Sequence, residues 1–162
     1  MKPILAAALA LVVYASAFGK ESTSTARLQQ LRTPLMGEKT LISASDAPKP
    51  IGPYSQGVVS SGLMFASGQI PIDPKTNELL PGDIETQTEQ VIKNLLAVLK
   101  EAKMGPENVV KTTVYLVDLA DFPRMNTVYG HFFGKQPPAR STIQAVALPR
   151  GARVEIDMIA AY

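Results

Sequence analysis

Two C-terminal stretches, 139–147 and 152–160, alternate apolar and polar residues, and this limits the fold more than any other feature of the chain. Ile143, Ala145 and Ala147 alternate with Arg140, Thr142 and Gln144, while Val154, Ile156 and Met158 alternate with Arg153, Glu155 and Asp157. A period of two sends successive side chains to opposite faces of a strand. With Pro149-Arg150-Gly151 between them, the two stretches predict a terminal β-hairpin. A slip of one residue would move a whole side-chain set to the other face, so both apolar sets are expected on the core face, with Arg140 and Glu155 sharing the other.

The rest of the chain supplies the partners for that hairpin. Thr40-Leu41-Ile42 is a short strand candidate, and Gly57–Ser60 and Leu63–Ser67 flank Ser61-Gly62, a two-residue hairpin turn. From Glu85 to Lys103 the apolar residues Val91, Leu95, Val98, Leu99 and Ala102 fall at helical spacing, and Gly105-Pro106 ends the pattern. Val109–Val117 is β-branched and reads as a strand. Asp121 is placed to cap a second helix with Pro123 in its first turn and Met125, Val128, Tyr129 and Phe132 on its apolar side. The order β-β-β-α-β-α-β-β implies an α+β fold, one mixed sheet with two helices on one face, and the bare face then needs a cover. Patterning alone also admits a ferredoxin-like α+β monomer.

Composition excludes several chemistries. The 162 residues, 46% hydrophobic and 19% charged, suit one domain with a real core. There is no cysteine, so disulfides, thiolate nucleophiles and Cys-ligated zinc are ruled out. His131 is the one histidine, which excludes a multi-His metal site within one chain, and its neighbours Phe132 and Phe133 suggest a surface or packing role. The formal charge of +2 belongs to the N-terminal portion, where Lys2, Lys20, Arg27 and Arg32 face Glu21 alone. The remainder, from Glu38 onward, is near neutral and carries no basic stripe, so no nucleic-acid partner is expected.

That N-terminal portion reads as an address. Lys2 precedes an apolar run from Ile4 to Val13, and Ala15-Ser16-Ala17 offers a small-residue cleavage pattern, so residues 1–17 are expected to be a signal peptide cut after Ala17. The run is short of the ~20 residues that span a bilayer, and no membrane attachment is expected of the mature form. Residues 18–37 are rich in Ser and Thr, with Arg27 and Arg32 and almost no acid, and resemble a transit peptide. The junction Ala15-Ser16-Ala17-Phe18 resembles that of bipartite plastid presequences, which makes plastid the expected destination. A linker behind a plain secretory signal, or another organelle, is the alternative. The folded domain is expected over 38–162.

Within Pro137-Pro138-Ala139-Arg140-Ser141-Thr142, one arginine stands at the start of a strand. Its planar fork matches a carboxylate in bidentate fashion, suggesting a pocket for a small carboxylate; a solvated strand-end arginine fits the same pattern. The surrounding motifs decide in favour of the pocket. Ile51-Gly52-Pro53-Tyr54-Ser55-Gln56-Gly57, Ser67-Gly68-Gln69-Ile70-Pro71, Val110-Lys111-Thr112-Thr113-Val114-Tyr115-Leu116, Asn126 with Phe132-Phe133, and Pro138-Ala139-Arg140-Ser141 with Leu148-Pro149 and Val154-Glu155-Ile156 occur in this order. Together they closely resemble the signature of the reactive intermediate deaminase (Rid, YjgF-like) family in its RidA branch, from about Lys39 to Ala160.

The resemblance implies a chorismate-mutase-like fold whose homotrimer encloses the bare sheet faces in a central barrel. It implies hydrolysis of 2-imino acids or their enamine tautomers, such as 2-iminobutanoate and 2-iminopropanoate, to 2-oxo acids and ammonia, with no cofactor and no metal. Arg140 would grip the carboxylate, Tyr54 and Asn126 would line the cleft, Ser67 and Gly68 would contact the ligand, and Glu155 would hold the attacking water. Thr142, which stands where many RidA proteins have cysteine, would be a further substrate-binding residue. The alternative is a non-catalytic, carboxylate-binding or chaperone-like trimer, and a ribonuclease is disfavoured by the neutral charge. In the expected hairpin Arg140 pairs near Ile159, so Glu155 would lie about four residues along, on the order of 13 Å away. One small substrate would then need a second subunit to reach both.

Overall fold

The computed structural model describes residues 38–162, and the expected signal and transit segments lie outside the described residues. The sheet has six strands: β1 (Thr40–Ile42), β2 (Gly57–Ser60), β3 (Leu63–Gln69), β4 (Val109–Leu116), β5 (Ala139–Gln144) and β6 (Val154–Ala161). Their spatial order is β1-β2-β3-β6-β4-β5. Two helices, α1 (Ile84–Glu101) and α2 (Phe122–Phe133), cover one face.

Local chemistry explains the element ends. The β2–β3 turn uses Ser61 and Gly62 at φ 52° and 77°, the pair of left-handed residues that a tight hairpin needs. Asp83 caps α1 by accepting from the Thr86 amide at 2.9 Å. The helix ends at Glu101, and Lys103 at φ 59° turns the chain toward Gly105. Asp121 does not cap α2 through its side chain: its buried carboxylate accepts from Arg153 Nη2 at 2.8 and 3.0 Å.

One stripe of α1 (Ile84, Val91, Ile92, Leu95, Val98 and Leu99) is fully buried against Met64, Val114, Leu116, Val154, Ile156 and Met158. Each such side chain contributes about 1.5–3 kcal/mol by leaving water. Truncating Leu95 to Ala would therefore cost about 2–5 kcal/mol once the cavity is counted.

The terminal hairpin does not form. β5 pairs with β4 in parallel, and β6 lies between β3 and β4, antiparallel to both. Parallel pairing needs a crossover, which α2 supplies between β4 and β5. The 149–151 turn, with Arg150 and Gly151 at φ 56° and 76°, then carries the chain to the centre of the sheet instead of back along β5. Burial accounts for the choice. β6 hides Val154, Ile156, Met158 and Ala160 completely, whereas the short edge strand β5 leaves Ile143 49% exposed.

The faces are corrected as well. Arg140 sits opposite Thr112, which is buried beneath the helices, so Arg140, Thr142 and Gln144 take the helix side. Ile143 and Glu155 both sit opposite Tyr115 on the bare side. Arg140 and Glu155 are therefore on opposite faces, because the apolar residues of β5 do not face the core. The bare side carries a row formed by Leu41, Val58, Phe65 and Ile159, one residue from each of four neighbouring strands.

Candidate active site

The crossover that brings β5 to the sheet edge also sets Arg140 beside α2. Phe122, Asn126, Tyr129 and Phe133 recur at helical spacing along the face of α2 that looks toward β5. The Arg140 guanidinium carbon lies 4.5 Å from the centroid of the Tyr129 ring and 5.6 Å from that of Phe122. Among the described residues it has no ion-pair or hydrogen-bond partner. Asn126, Tyr129, Phe133, Pro137, Pro138 and Arg140 line a cavity of about 330 Å³.

Two polar atoms on this side, Asn126 Oδ1 and Thr142 Oγ1, are buried without a hydrogen-bond partner among the described residues. Buried polar atoms are normally paired. An unpaired cation beside a hydroxyl that can donate and an amide oxygen that can accept is the arrangement that a small anionic ligand with an N–H donor of its own completes.

A second group of residues forms on the bare side. β3 breaks its pairing with β6 between Ala66 and Gln69, which frees Ser67 and Gly68 from the ladder. The Glu155 carboxylate fills the space where a side chain at position 68 would begin: a Cβ there would collide with Glu155 Oε1. A side chain at 68 would therefore force the Glu155 carboxylate out of its present place. Ser67 Oγ donates to the Ser55 carbonyl at 2.7 Å, and its amide donates to the Gln56 carbonyl at 3.0 Å, tying the bulge to the loop that carries Tyr54. Tyr54 and Gly68 line one small recess, and the Tyr54 hydroxyl accepts from the Ile51 amide at 3.2 Å.

Burial first, and then the charge of Asp157, hold the Glu155 carboxyl above its ordinary pKa. Asp157 in turn accepts from the Tyr115 hydroxyl at 3.1 Å, and burial followed by that hydrogen bond raises the Tyr115 pKa.

The expected site residues thus divide into two groups. Arg140, Asn126 and Thr142 come together beside α2, and Tyr54, Ser67, Gly68 and Glu155 come together at the β3 bulge. Arg140 is opposite Thr112, and Thr112 is opposite Met158, so the step to Glu155 crosses two strand spacings and runs three residues along β6. That is on the order of 14 Å between backbones, with the sheet itself intervening.

Sequence reasoning did not find Phe122 and Tyr129 as the shelf under Arg140. The available signal was a polar Asn126 set among aromatic residues on one helix face. A larger recess around His131, Phe132, Lys135 and Glu107 adjoins this cavity. Among the described residues no cluster is placed to hold a metal ion, and no helix is long and apolar enough to cross a membrane.

Comparison with known proteins agrees with this architecture. Residues 44–162 match the family model described as "Endoribonuclease L-PSP". The chain is 45% identical over 122 residues to the mouse protein named 2-iminobutanoate/2-iminopropanoate deaminase, covering 75% of this chain and 90% of that one. It is 43% identical over 123 residues to Reactive Intermediate Deaminase A, chloroplastic, of Arabidopsis thaliana, covering 76% of this chain and 66% of the relative. Among solved structures it superposes on Escherichia coli TdcF with bound serine at a TM-score of 0.72 and 38% identity, over 76% of this chain and 98% of TdcF. A match over most of the chain, relatives at 43% and 45% identity and a shared fold together make this chain a member of the reactive intermediate deaminase (Rid, YjgF-like) family.

Proposed function

We propose that this protein hydrolyses small 2-imino acids and their enamine tautomers to 2-oxo acids and ammonia, at sites built between the subunits of a homotrimer. The carrying observation is Arg140: a guanidinium shelved on two rings, without a partner, beside the unpaired buried oxygens of Asn126 and Thr142. Its fork suits a carboxylate. The names of the mouse and Arabidopsis relatives support the reaction, and the serine bound to TdcF is a ligand carrying an α-carboxylate.

In this reading Arg140, Asn126 and Thr142 of one subunit hold the carboxylate end. Tyr54, Ser67, Gly68 and Glu155 of a neighbour meet the imine carbon. A protonated imine is already electrophilic, so the protein's task is orientation and proton transfer. Glu155 takes a proton from water as its oxygen bonds to C2 and the C=N electron pair moves to nitrogen. The carboxyl returns that proton to nitrogen, and as the C–N bond breaks with its electron pair leaving on ammonia, an oxygen lone pair closes the C=O bond and Glu155 takes the hydroxyl proton, leaving the 2-oxo acid. A carboxyl held above its ordinary pKa is a stronger base toward water, and a pKa moved toward neutrality suits a group that must both take and return a proton.

The trimer is supported by the uncovered row Leu41, Val58, Phe65 and Ile159 and by the separation of Arg140 from Glu155. An exposed apolar face of this kind marks an interface. Residues 1–17 and 18–37 are proposed as a signal and a transit segment that deliver domain 38–162 to a plastid, and the chloroplastic relative supports the destination. The near-neutral domain gives no electrostatic support for RNA cleavage.

The test couples purified domain 38–162 to a pyridoxal-phosphate threonine dehydratase and follows loss of the imine. Faster clearance than in buffer is expected. Clearance at the spontaneous rate by a folded protein that still binds 2-oxobutanoate would favour a binding module.

A further inference from the structure

Arg140 is a long side chain on an edge strand, and nothing charged restrains it among the described residues. It is nevertheless seated over Tyr129 at 4.5 Å, and Tyr129 is itself fixed. The phenol oxygen lies 2.8 Å from Thr112 Oγ1, inside the core, where Thr112 is fully buried and Tyr129 is 5% exposed. Phe133 packs against the Tyr129 ring at a tilt of 40°, with centroids 4.6 Å apart. Thr112 is also the residue directly opposite Arg140 across the β4–β5 ladder. One threonine therefore anchors the ring from below while its own strand position sets the height of the arginine.

We propose that Tyr129, anchored by Thr112, is a positioning residue for Arg140, holding the guanidinium ready for a carboxylate before the ligand arrives. The proposal deepens the carboxylate-binding reading and rests on it. An arginine free to sample its rotamers must lose that freedom on binding, which weakens affinity. A cation held on an aromatic face has lost much of it already, and its edge donors remain free for the ligand. The hydroxyl pair does a separate job. A phenol inside the core needs a partner, and Thr112 provides one, so the hydroxyl pair satisfies the buried oxygen while the ring supplies the shelf.

The bland account is that Tyr129 only fills space between α2 and the sheet. The two accounts differ in whether Tyr129 acts through Arg140, and a double-mutant cycle reads this directly. The readout is the affinity of the assembled protein for 2-oxobutanoate, the product-like carboxylate, titrated by NMR. Tyr129→Leu removes the shelf and is expected to weaken binding about three- to thirtyfold, the range of a cation–π contact. In an Arg140→Ala background the same change is expected to have less than a twofold effect. Tyr129→Phe combined with Thr112→Val keeps the ring, removes both hydroxyls, and is expected to recover most of the affinity lost in Tyr129→Leu.

If Tyr129→Leu does not fold, the Tyr129→Phe/Thr112→Val protein still decides, because an affinity as poor as that of Arg140→Ala in a folded protein would overturn the shelf. Equal losses from Tyr129→Leu in both backgrounds would also overturn the proposal and leave Tyr129 as packing. The outcomes separate this inference from the reading beneath it. If Arg140→Ala itself leaves 2-oxobutanoate affinity unchanged, the carboxylate grip is wrong; if Arg140→Ala weakens binding while Tyr129→Leu does not, only the positioning role fails.

Discussion

Arg140 and Glu155 stand on opposite faces of the same sheet, the first opposite Thr112 on the helix side and the second opposite Tyr115 on the bare side. With their backbones on the order of 14 Å apart and the sheet between them, the two do not share one side of the chain on which a three- or four-carbon substrate could sit. Proposed chemistry that uses both must therefore draw them from two copies.

Replacing Arg140 by Lys keeps the charge and removes the planar fork. Loss of one charge-assisted hydrogen bond and its geometry is expected to cost about 1.5–3 kcal/mol of transition-state stabilisation, roughly ten- to a hundredfold in kcat/KM. The fold is expected to survive, since Arg140 lines a cavity on an edge strand. Steady-state kinetics beside a circular dichroism spectrum checks both halves.

Glu155→Gln is expected to slow turnover while leaving 2-oxobutanoate affinity within about threefold, because the carboxylate end of the ligand is held elsewhere. The wild-type pH profile carries the sign. As the proposed base Glu155 must be ionised, so activity is expected to fall as pH drops through its pKa, with that limb above the ordinary glutamate value because the group is buried near Asp157. The variant lacks the limb. Stability moves oppositely: a carboxyl whose folded pKa is raised supports the fold fully below its unfolded pKa and loses that support as pH rises through the folded one. Glu155→Gln is therefore expected to melt no lower than wild type at pH 8, which separates lost catalysis from lost folding.

Gly68→Ala adds one carbon where the Glu155 carboxylate already lies. Either the carboxylate or the β3 bulge must move, and displacements of about 1 Å at a reacting group can cost about a hundredfold in rate. A drop in kcat of at least tenfold is expected, with 2-oxobutanoate affinity retained. Unchanged kcat would mean that the placement of Glu155 does not matter.

Phe65→Glu puts a charge in the middle of the bare apolar row. Phe65 is 45% exposed in the single chain, so the subunit fold is expected to tolerate the change. Assembly is not, since a buried unpaired charge is costly. Sedimentation should show trimers for wild type and monomers for the variant, and the monomers should be inactive.

The sequence disclosed the elements better than their neighbours in space. Amphipathic spacing located α1 and α2, and Ser61-Gly62 located the first hairpin, because those signals are local. The pairing of β5 and β6 was misjudged. Sequence adjacency and matched alternation suggested a hairpin, but whether a strand lies at the centre or the edge depends on what else competes for the slot, and β6 buries more. The same error put Arg140 and Glu155 on one face. Ile143 looked like a core residue, yet on an edge strand next to a cavity the polar residues turn inward and the apolar one is left exposed. The family motifs nominate Tyr54, Ser67, Gly68, Asn126, Arg140, Thr142 and Glu155 as candidates, while their division into two groups emerges only from the register. Tyr129 was legible as a buried helix residue but not as the shelf under Arg140, because a cation–π contact between distant segments leaves no local pattern.

Co-expression of two inactive variants tests the shared site most directly. Arg140→Ala keeps Glu155, and Glu155→Gln keeps Arg140, so a mixed trimer contains some interfaces where both intact residues meet. With equal expression and random assembly, each interface has a one-in-two chance of the right residue from either side, so activity should return to about a quarter of wild type while each variant alone stays near background. Activity of the mixed trimers no greater than the mean of the two variants alone would contradict a site divided between subunits.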